Sequence, residues 1–141
     1  LGLKLDHYCS DMTRCAVFGA PSRLFRELHA VVLEANRRAV RAIRPGRVCR
    51  DIDALARDII ARAGYGDFFG HGLGHGLGLE VHETPSLSPA CATVLEPGMV
   101  VTVEPGIYLP GRLGVRIEDV ALVTDGGCEV LTRTPHRTGW S

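Results

Sequence analysis

The sequence predicts an α+β fold, and three observations carry that expectation. Residues 22–43 and 51–63 repeat apolar side chains at helical spacing. From 70 to 141 the chain turns rich in glycine, proline, valine and threonine, with short β-like runs. At 141 residues, 45% hydrophobic and 23% charged, it has the size and composition of one globular domain able to bury a core. Helices followed by strands, with no internal repeat, linker or low-complexity stretch, fit two helices on a mostly antiparallel sheet.

Over 1–18, Tyr8, Met12, Ala16, Val17 and Phe18 interleave with polar residues, which predicts a strand or hairpin arm. Gly19, Ala20 and Pro21 interrupt it, and Ser22 stands as a hydroxyl N-cap. Leu24, Leu28, Val31, Val32, Ala35, Ala39, Val40 and Ile43 form the apolar stripe of the helix it starts, which Pro45 and Gly46 end. A second helix is expected over about 51–63, with Ile52, Leu55, Ile59 and Ile60 on one face and Gly64 at a left-handed C-cap. β-like runs at 99–103 and 115–123, then a Gly126-Gly127 turn before Val130 and Leu131, complete the order.

Charge and cysteine content narrow the setting. Sixteen basic residues balance sixteen acidic ones, so no field of one sign recruits nucleic acid or an anionic membrane. The five cysteines, at 9, 15, 49, 91 and 128, form no CxxC pair, and their odd number argues against a closed disulfide framework. No apolar run nears the ~20 residues of a membrane span, and no signal-peptide pattern is present. A reducing, cytoplasmic location is the expectation. The chain opens on Leu1 rather than methionine, which suggests a start that has been processed or cut.

The chemistry concentrates in four segments. Residues 70–83, GHGLGHGLGLEVHE, hold three of the six histidines, His71, His75 and His82. Glycine has no side chain and permits positive φ, so it lets backbone crowd against a ligand or metal cluster. A glycine-rich turn with exposed histidines is the competing reading. The HExxH zinc pattern is disfavoured, because these glycines oppose a helix and no glutamate falls between His71 and His75.

In VTVEPGIY, over 101–108, and GVRIEDVALV, over 114–123, Glu104 and Glu118 lie in or beside apolar runs, where an ionised carboxylate is costly unless paired or metal-bound. The plain alternatives are an exposed strand end for Glu104 and, for Glu118, an ion pair with Arg116 on the same strand face. Asp11, in YCSDMTR, is a carboxylate donor for a divalent cation. Alternatively it accepts hydrogen bonds from Thr13 or Arg14 in a local turn.

Together SDMTR, HGLGHGLGLEVHE, VEPGIY and GVRIEDVALVT, in this order and at these separations, resemble the catalytic domain of the pita-bread (creatinase/aminopeptidase-like) metallopeptidases. That family includes methionine aminopeptidase, aminopeptidase P and prolidase. The resemblance covers essentially the whole chain. His71 four residues before His75, with the VEPGIY form of the glutamate motif, is similar to the proline-specific branch, aminopeptidase P and prolidase.

Carried over to matching positions, the resemblance implies that Asp11 and Glu118 bridge two metal ions. His75 and Glu104 would bind one of them, with Glu104 also the catalytic base. It implies further that His71 and His82 bind substrate and stabilise the tetrahedral intermediate, and that Arg116 orders the carboxylates. The implied cofactors are two divalent ions, manganese foremost, with cobalt or zinc as alternatives. The implied partner is a small peptide with proline at its second position, and a homodimer is expected by analogy. Two ions ~3.5–4 Å apart lower the pKa of a shared water and polarise the scissile carbonyl. Glu104 would then move the proton and the histidines would donate to the oxyanion. Proline after the scissile bond makes a tertiary amide without N–H, so shape can exclude ordinary peptides.

The sequence departs from this pattern at its start. The family's first metal ligand is an aspartate eleven positions before the SD aspartate, which from Asp11 falls at position 0, while Gly2 and Tyr8 match the pattern's glycine and tyrosine. Asp6, five before Asp11, lies at an odd offset, on the opposite strand face, and is not expected to substitute. Residues 1–141 are thus expected to be the C-terminal part of a single catalytic domain, incomplete on its N-terminal side. An impaired second metal site follows, which puts the activity of these residues alone in question. So does uncovered apolar surface calling for a missing N-terminal segment or a partner. A non-catalytic pita-bread module that binds a peptide or protein is the alternative, against which stand the seven retained site residues.

Overall fold

The opening arm is a hairpin: β1 (Leu3–Leu5) pairs antiparallel with β2 (Tyr8–Ser10) across Asp6 and His7, both with positive φ. A two-residue turn of that kind matches the twist of its strands. Asp6 therefore occupies the turn itself rather than the strand face expected for it. The computed structural model describes residues 1–136.

α1 (Arg23–Ala42) begins where the Ser22 hydroxyl accepts the Phe25 N–H. Leu28, Val32, Ala35, Ala39 and Ile43 are buried along the predicted stripe, with Leu24, Val31 and Val40 at its margin. The same face also buries His29 and Asn36, which apolar periodicity does not register. Asn36 meets its hydrogen-bonding need by donating to the Val103 carbonyl at 3.0 Å, joining helix to sheet.

α2 (Cys49–Arg62) ends in a Schellman motif at Gly64, whose φ is +86°: Gly64 N–H reaches the Ala61 carbonyl and Tyr65 N–H the Ile60 carbonyl. Its buried row is Cys49, Ile52, Asp53, Ala56 and Ile60. Leu55, expected on that face, is 38% exposed. The stripe is rotated away from Leu55 because a buried aspartate, which a hydrophobic scan discounts, stands near its centre.

β3 (Gly74–Gly76), β4 (Glu83–Leu87), β5 (Val100–Val103), β8 (Asp119–Thr124) and β9 (Gly127–Val130) form an antiparallel sheet in the order β4-β3-β5-β8-β9. β6 (Gly106–Leu109) and β7 (Leu113–Arg116) make a separate hairpin. The run expected at 99–103 is β5. The turn placed at Gly126-Gly127 falls one residue earlier, since Thr124 pairs with Gly127. β3, β4 and β6 escape a pattern search because glycine and proline, which dilute strand signals, stand inside them.

The run expected over 115–123 is two strands in different sheets. At the break, Ile117 N–H turns to the Pro105 carbonyl and Glu118 N–H to the Thr13 carbonyl. Val101, Val103, Ile107, Leu109, Val115 and Ile117 share one core cluster with the buried faces of α1 and α2. Strand side chains alternate, so Thr102, Glu104, Tyr108, Arg116 and Glu118 fall on the other face. Leu3, Leu79 and Val81 are exposed and line one recess beside the hairpin arm. Among the described residues no helix is long and apolar enough to cross a membrane.

All five cysteines are free. Burial first, then the neighbouring Cys91, pushes the Cys49 thiol up to about 12, whereas hydrogen bonding from Thr93 draws Cys91 below the usual thiol range. Thiolate is the reactive form. Brief treatment of the native protein with iodoacetamide at about pH 8 should therefore label Cys91 ahead of Cys49, read by peptide mass spectrometry; early labelling of Cys49 would contradict this environment.

Candidate metal centre

Asp11 follows β2, His75 is the middle residue of β3, and Glu118 stands at the β7–β8 break. These distant segments bring one donor atom from each residue within 4.8 Å of the others. Glu118 is buried, and Asp11 and His75 are partly so. Glu118 Oε2 accepts the Thr13 hydroxyl at 2.6 Å, but the buried Oε1 has no partner among the described residues. An unsatisfied buried oxygen of this kind costs about 1–3 kcal/mol. Burial, with Glu104 and Asp11 close by, raises the Glu118 pKa against the opposing Thr13 bond. A divalent cation bound here would supply the missing partner and offset the clustered carboxylates. Two carboxylates and an imidazole suit a hard or borderline ion.

His75 Nδ1 lies 3.0 Å from the Gly76 carbonyl, which can only accept, so that nitrogen carries the proton. Nε2 then faces Glu104 Oε1 at 3.0 Å, lone pair to lone pair, unless a proton or a cation comes between them. Burial opposes charge on His75, but its bonds to Glu104 and Gly76 and the Asp11 charge outweigh burial and raise its pKa. Burial likewise acts to raise Glu104, and its contacts with His75, Thr102 and Arg116 prevail and lower it. Glu104 stands beside the Asp11, His75 and Glu118 triple rather than within it. Its Oε1 takes the Thr102 hydroxyl at 3.2 Å, and its Oε2 lies 4.0 Å from Arg116 Nε.

The local pairings that the sequence left open are not the ones formed. Arg116 turns to Glu104 and to the Thr13 hydroxyl, 3.3 Å away, instead of to Glu118. Thr13 and Arg14 do not tie Asp11 into a turn. Thr13 holds Glu118, while Arg14 pairs with buried Asp119 at 2.7 Å and donates to the Glu118 carbonyl. Asp6 takes no part in the donor set.

His71 has both ring nitrogens engaged. Nδ1 donates to the Gly72 carbonyl at 2.7 Å and Nε2 accepts from the Tyr108 hydroxyl at 3.0 Å. Tyr108, which closes the VEPGIY motif, is brought against this group through His71 and is not singled out by the sequence patterns. Burial raises the Tyr108 pKa, with Arg116 opposing. His82 is exposed, its ring centroid 4.2 Å from that of His75. The glycines beside His75 allow close approach between segments of the protein itself. A Cβ on Gly76 would meet the Thr84 carbonyl at 2.5 Å, and one on Gly74 would collide with the Thr102 carbonyl.

His71, Gly72, Gly74, His75, His82, Ser86, Ser88 and Glu104 line an open recess of about 330 Å³, at the small end of the range for ligand sites. Another recess, of about 450 Å³ and edged by Arg38, Arg41, Arg44, Arg47 and Arg62, shares none of these residues. Its size does not outweigh the missing chemistry.

Comparison with known proteins agrees with this geometry. The sequence profile of metallopeptidase family M24 matches residues 1–125. The Xaa-Pro dipeptidase of Pyrococcus furiosus is 52% identical over 134 residues, 95% of this chain and 38% of that protein. The crystal structure of the prolidase from Pyrococcus horikoshii OT3 superposes with a TM-score of 0.95 at 49% identity, covering 96% of this chain and 39% of that one. The X-Pro aminopeptidase from Thermotoga maritima MSB8 gives 0.96 at 44% identity, covering 99% and 40%. This chain thus spans about two fifths of the length of these relatives, and its α+β architecture is the pita-bread fold in that part. With the profile matching most of its length, the chain belongs to metallopeptidase family M24.

Proposed function

We propose that this chain carries much of the catalytic centre of a two-metal peptidase that hydrolyses the bond between an N-terminal residue and proline. The observation that carries the reading is the convergence of Asp11, His75 and Glu118 around the unpartnered Glu118 Oε1. The substrate class is suggested by the Xaa-Pro dipeptidase, prolidase and X-Pro aminopeptidase to which the chain is similar. Divalent ions, when bound, lower the pKa of water and polarise a carbonyl. Manganese best fits the oxygen-rich donor set, ahead of cobalt or zinc.

In this reading Asp11, Glu118 and His75, the last through Nε2, the nitrogen left without a proton, would hold the ions. Glu104, beside His75, would add a further ligand, and its carboxylate would accept a proton from water and return it to the leaving prolyl nitrogen. Arg116 steadies Glu104 from the far side. His82, exposed beside His75, donates to the developing oxyanion. His71 can donate from Nε2 only in the other tautomer, with Tyr108 displaced, because in the arrangement seen its one N–H is spent on Gly72 and Nε2 accepts from Tyr108. Residues 1–141 are one part of a single catalytic domain in this account, in a protein that forms homodimers. Five free thiols suit a reducing location such as the cytoplasm.

The test uses the natural protein. Loaded with manganese, it should cleave Ala-Pro and leave Ala-Ala intact, lose activity to a chelator and regain it when the ion is restored. Absence of cleavage with two metals bound would sink the reading. Peptide binding without turnover would instead favour a non-catalytic module.

A further inference from the structure

We infer that Asp53 and Arg57, which lie on α2 outside the metal centre, are positioning residues that hold His71 in place; the inference rests on the role proposed above for His71. Residues 69–73 belong to no helix or strand, so no neighbouring strand holds their backbone. Arg57 and Asp53 take that part. Arg57 Nη1 donates to the Phe69 carbonyl at 3.0 Å, Nη2 donates to the His71 carbonyl at 2.9 Å, and Asp53 Oδ1 accepts the Leu73 N–H at 3.0 Å. Alternate residues are thus gripped as a strand partner would grip them.

The two side chains lock each other through two bonds of 2.9 Å, a planar fork that fixes the guanidinium. The guanidinium also lies over the Phe69 ring, 4.4 Å from its centroid, and Phe69 stands edge-on to the His71 ring at 5.0 Å. His71 is thereby held through its own carbonyl and against one side of its ring. From Leu73 the link runs on, since its carbonyl accepts the Glu104 N–H at 2.7 Å. A pair four apart that served only the helix would sit on its exposed face. Here Asp53 is 1% exposed, and burial of a carboxylate is costly unless its bonds are needed.

Arg57→Met strands Asp53 without its partner and can unfold the protein, so Arg57→Lys is the deciding variant. Lysine keeps the charge beside Asp53, but one ammonium cannot serve both Asp53 oxygens and two carbonyls at once. In the natural metal-loaded protein, kcat for an Xaa-Pro dipeptide should fall about 10-fold or more, with KM and metal stoichiometry little changed. The same substitution should cost nothing further in a His71→Ala background. An equal loss in both backgrounds, or none in either, overturns the inference. Histidine-ring nitrogen spectra give a readout free of catalysis: Arg57→Lys should move the His71 resonances and leave those of His29 in place. Should the unsubstituted protein cleave no Xaa-Pro peptide, the proposed function falls, and unmoved His71 resonances would still overturn the clamp.

Discussion

Glu118→Gln in the natural protein is expected to lower hydrolysis of an Xaa-Pro dipeptide by about 1000-fold, equivalent to about 4 kcal/mol of transition-state stabilisation, and to remove at least one bound ion. Glutamine keeps an acceptor for the Thr13 hydroxyl, which Glu118 Oε2 now satisfies at 2.6 Å. Its amide nitrogen, a donor only, would then occupy the place of Oε1 and present N–H toward a cation. The side chain also loses a charge that is buried close to Asp11 and Glu104. The metal-free variant should accordingly be as stable as the metal-free parent or more so, while the extra stability conferred by manganese is lost. Calorimetry with and without the ion separates the two effects. Unchanged metal stoichiometry with an unchanged rate would remove Glu118 from the centre.

Gly74→Ala is expected to cost about 3 kcal/mol or more of stability, through forced overpacking. A methyl group there falls on the Thr102 carbonyl. Thr102 cannot step aside, because it pairs with Val120 in β8 and its hydroxyl accepts the His75 N–H at 3.0 Å. The penalty comes from space and not from backbone strain, since Gly74 is not among the glycines with positive φ. Gly70→Ala is the matched control, as a Cβ there meets nothing within 4 Å. It should change stability by no more than about 1 kcal/mol, in the direction that reduced freedom of the unfolded chain favours. Equal urea-unfolding midpoints for the two variants would refute the close-approach account.

What could be read early was whatever a short window carries. Ser22 and Gly64 mark helix ends by local chemistry, one a hydroxyl aimed at a free N–H, the other a residue free to adopt positive φ. The stripe from Leu28 to Ile43 follows from period alone. The resemblance carried by SDMTR, HGLGHGLGLEVHE, VEPGIY and GVRIEDVALVT pointed to Asp11, His75, Glu104 and Glu118 as ligands, and the fold brings donor atoms of three of them, Asp11, His75 and Glu118, within 4.8 Å of one another.

By itself, then, the sequence determined the α+β class and both helices and singled out the residues that converge at the candidate metal centre, because periodicity and caps are local and motif residues can be recognised singly. Tertiary structure alone decided the partners. It split 115–123 at Glu118, turned Arg116 to Glu104, gave His71 to Tyr108, and rotated α2 so that Asp53 faces inward and Leu55 outward. Each of these depends on register and on contacts across the fold, between groups as far apart as Thr13 and Glu118. A polar residue inside an apolar stripe is discounted by any hydrophobic period, and its reason for being there becomes visible only when its hydrogen-bond partner, on another element, comes into place.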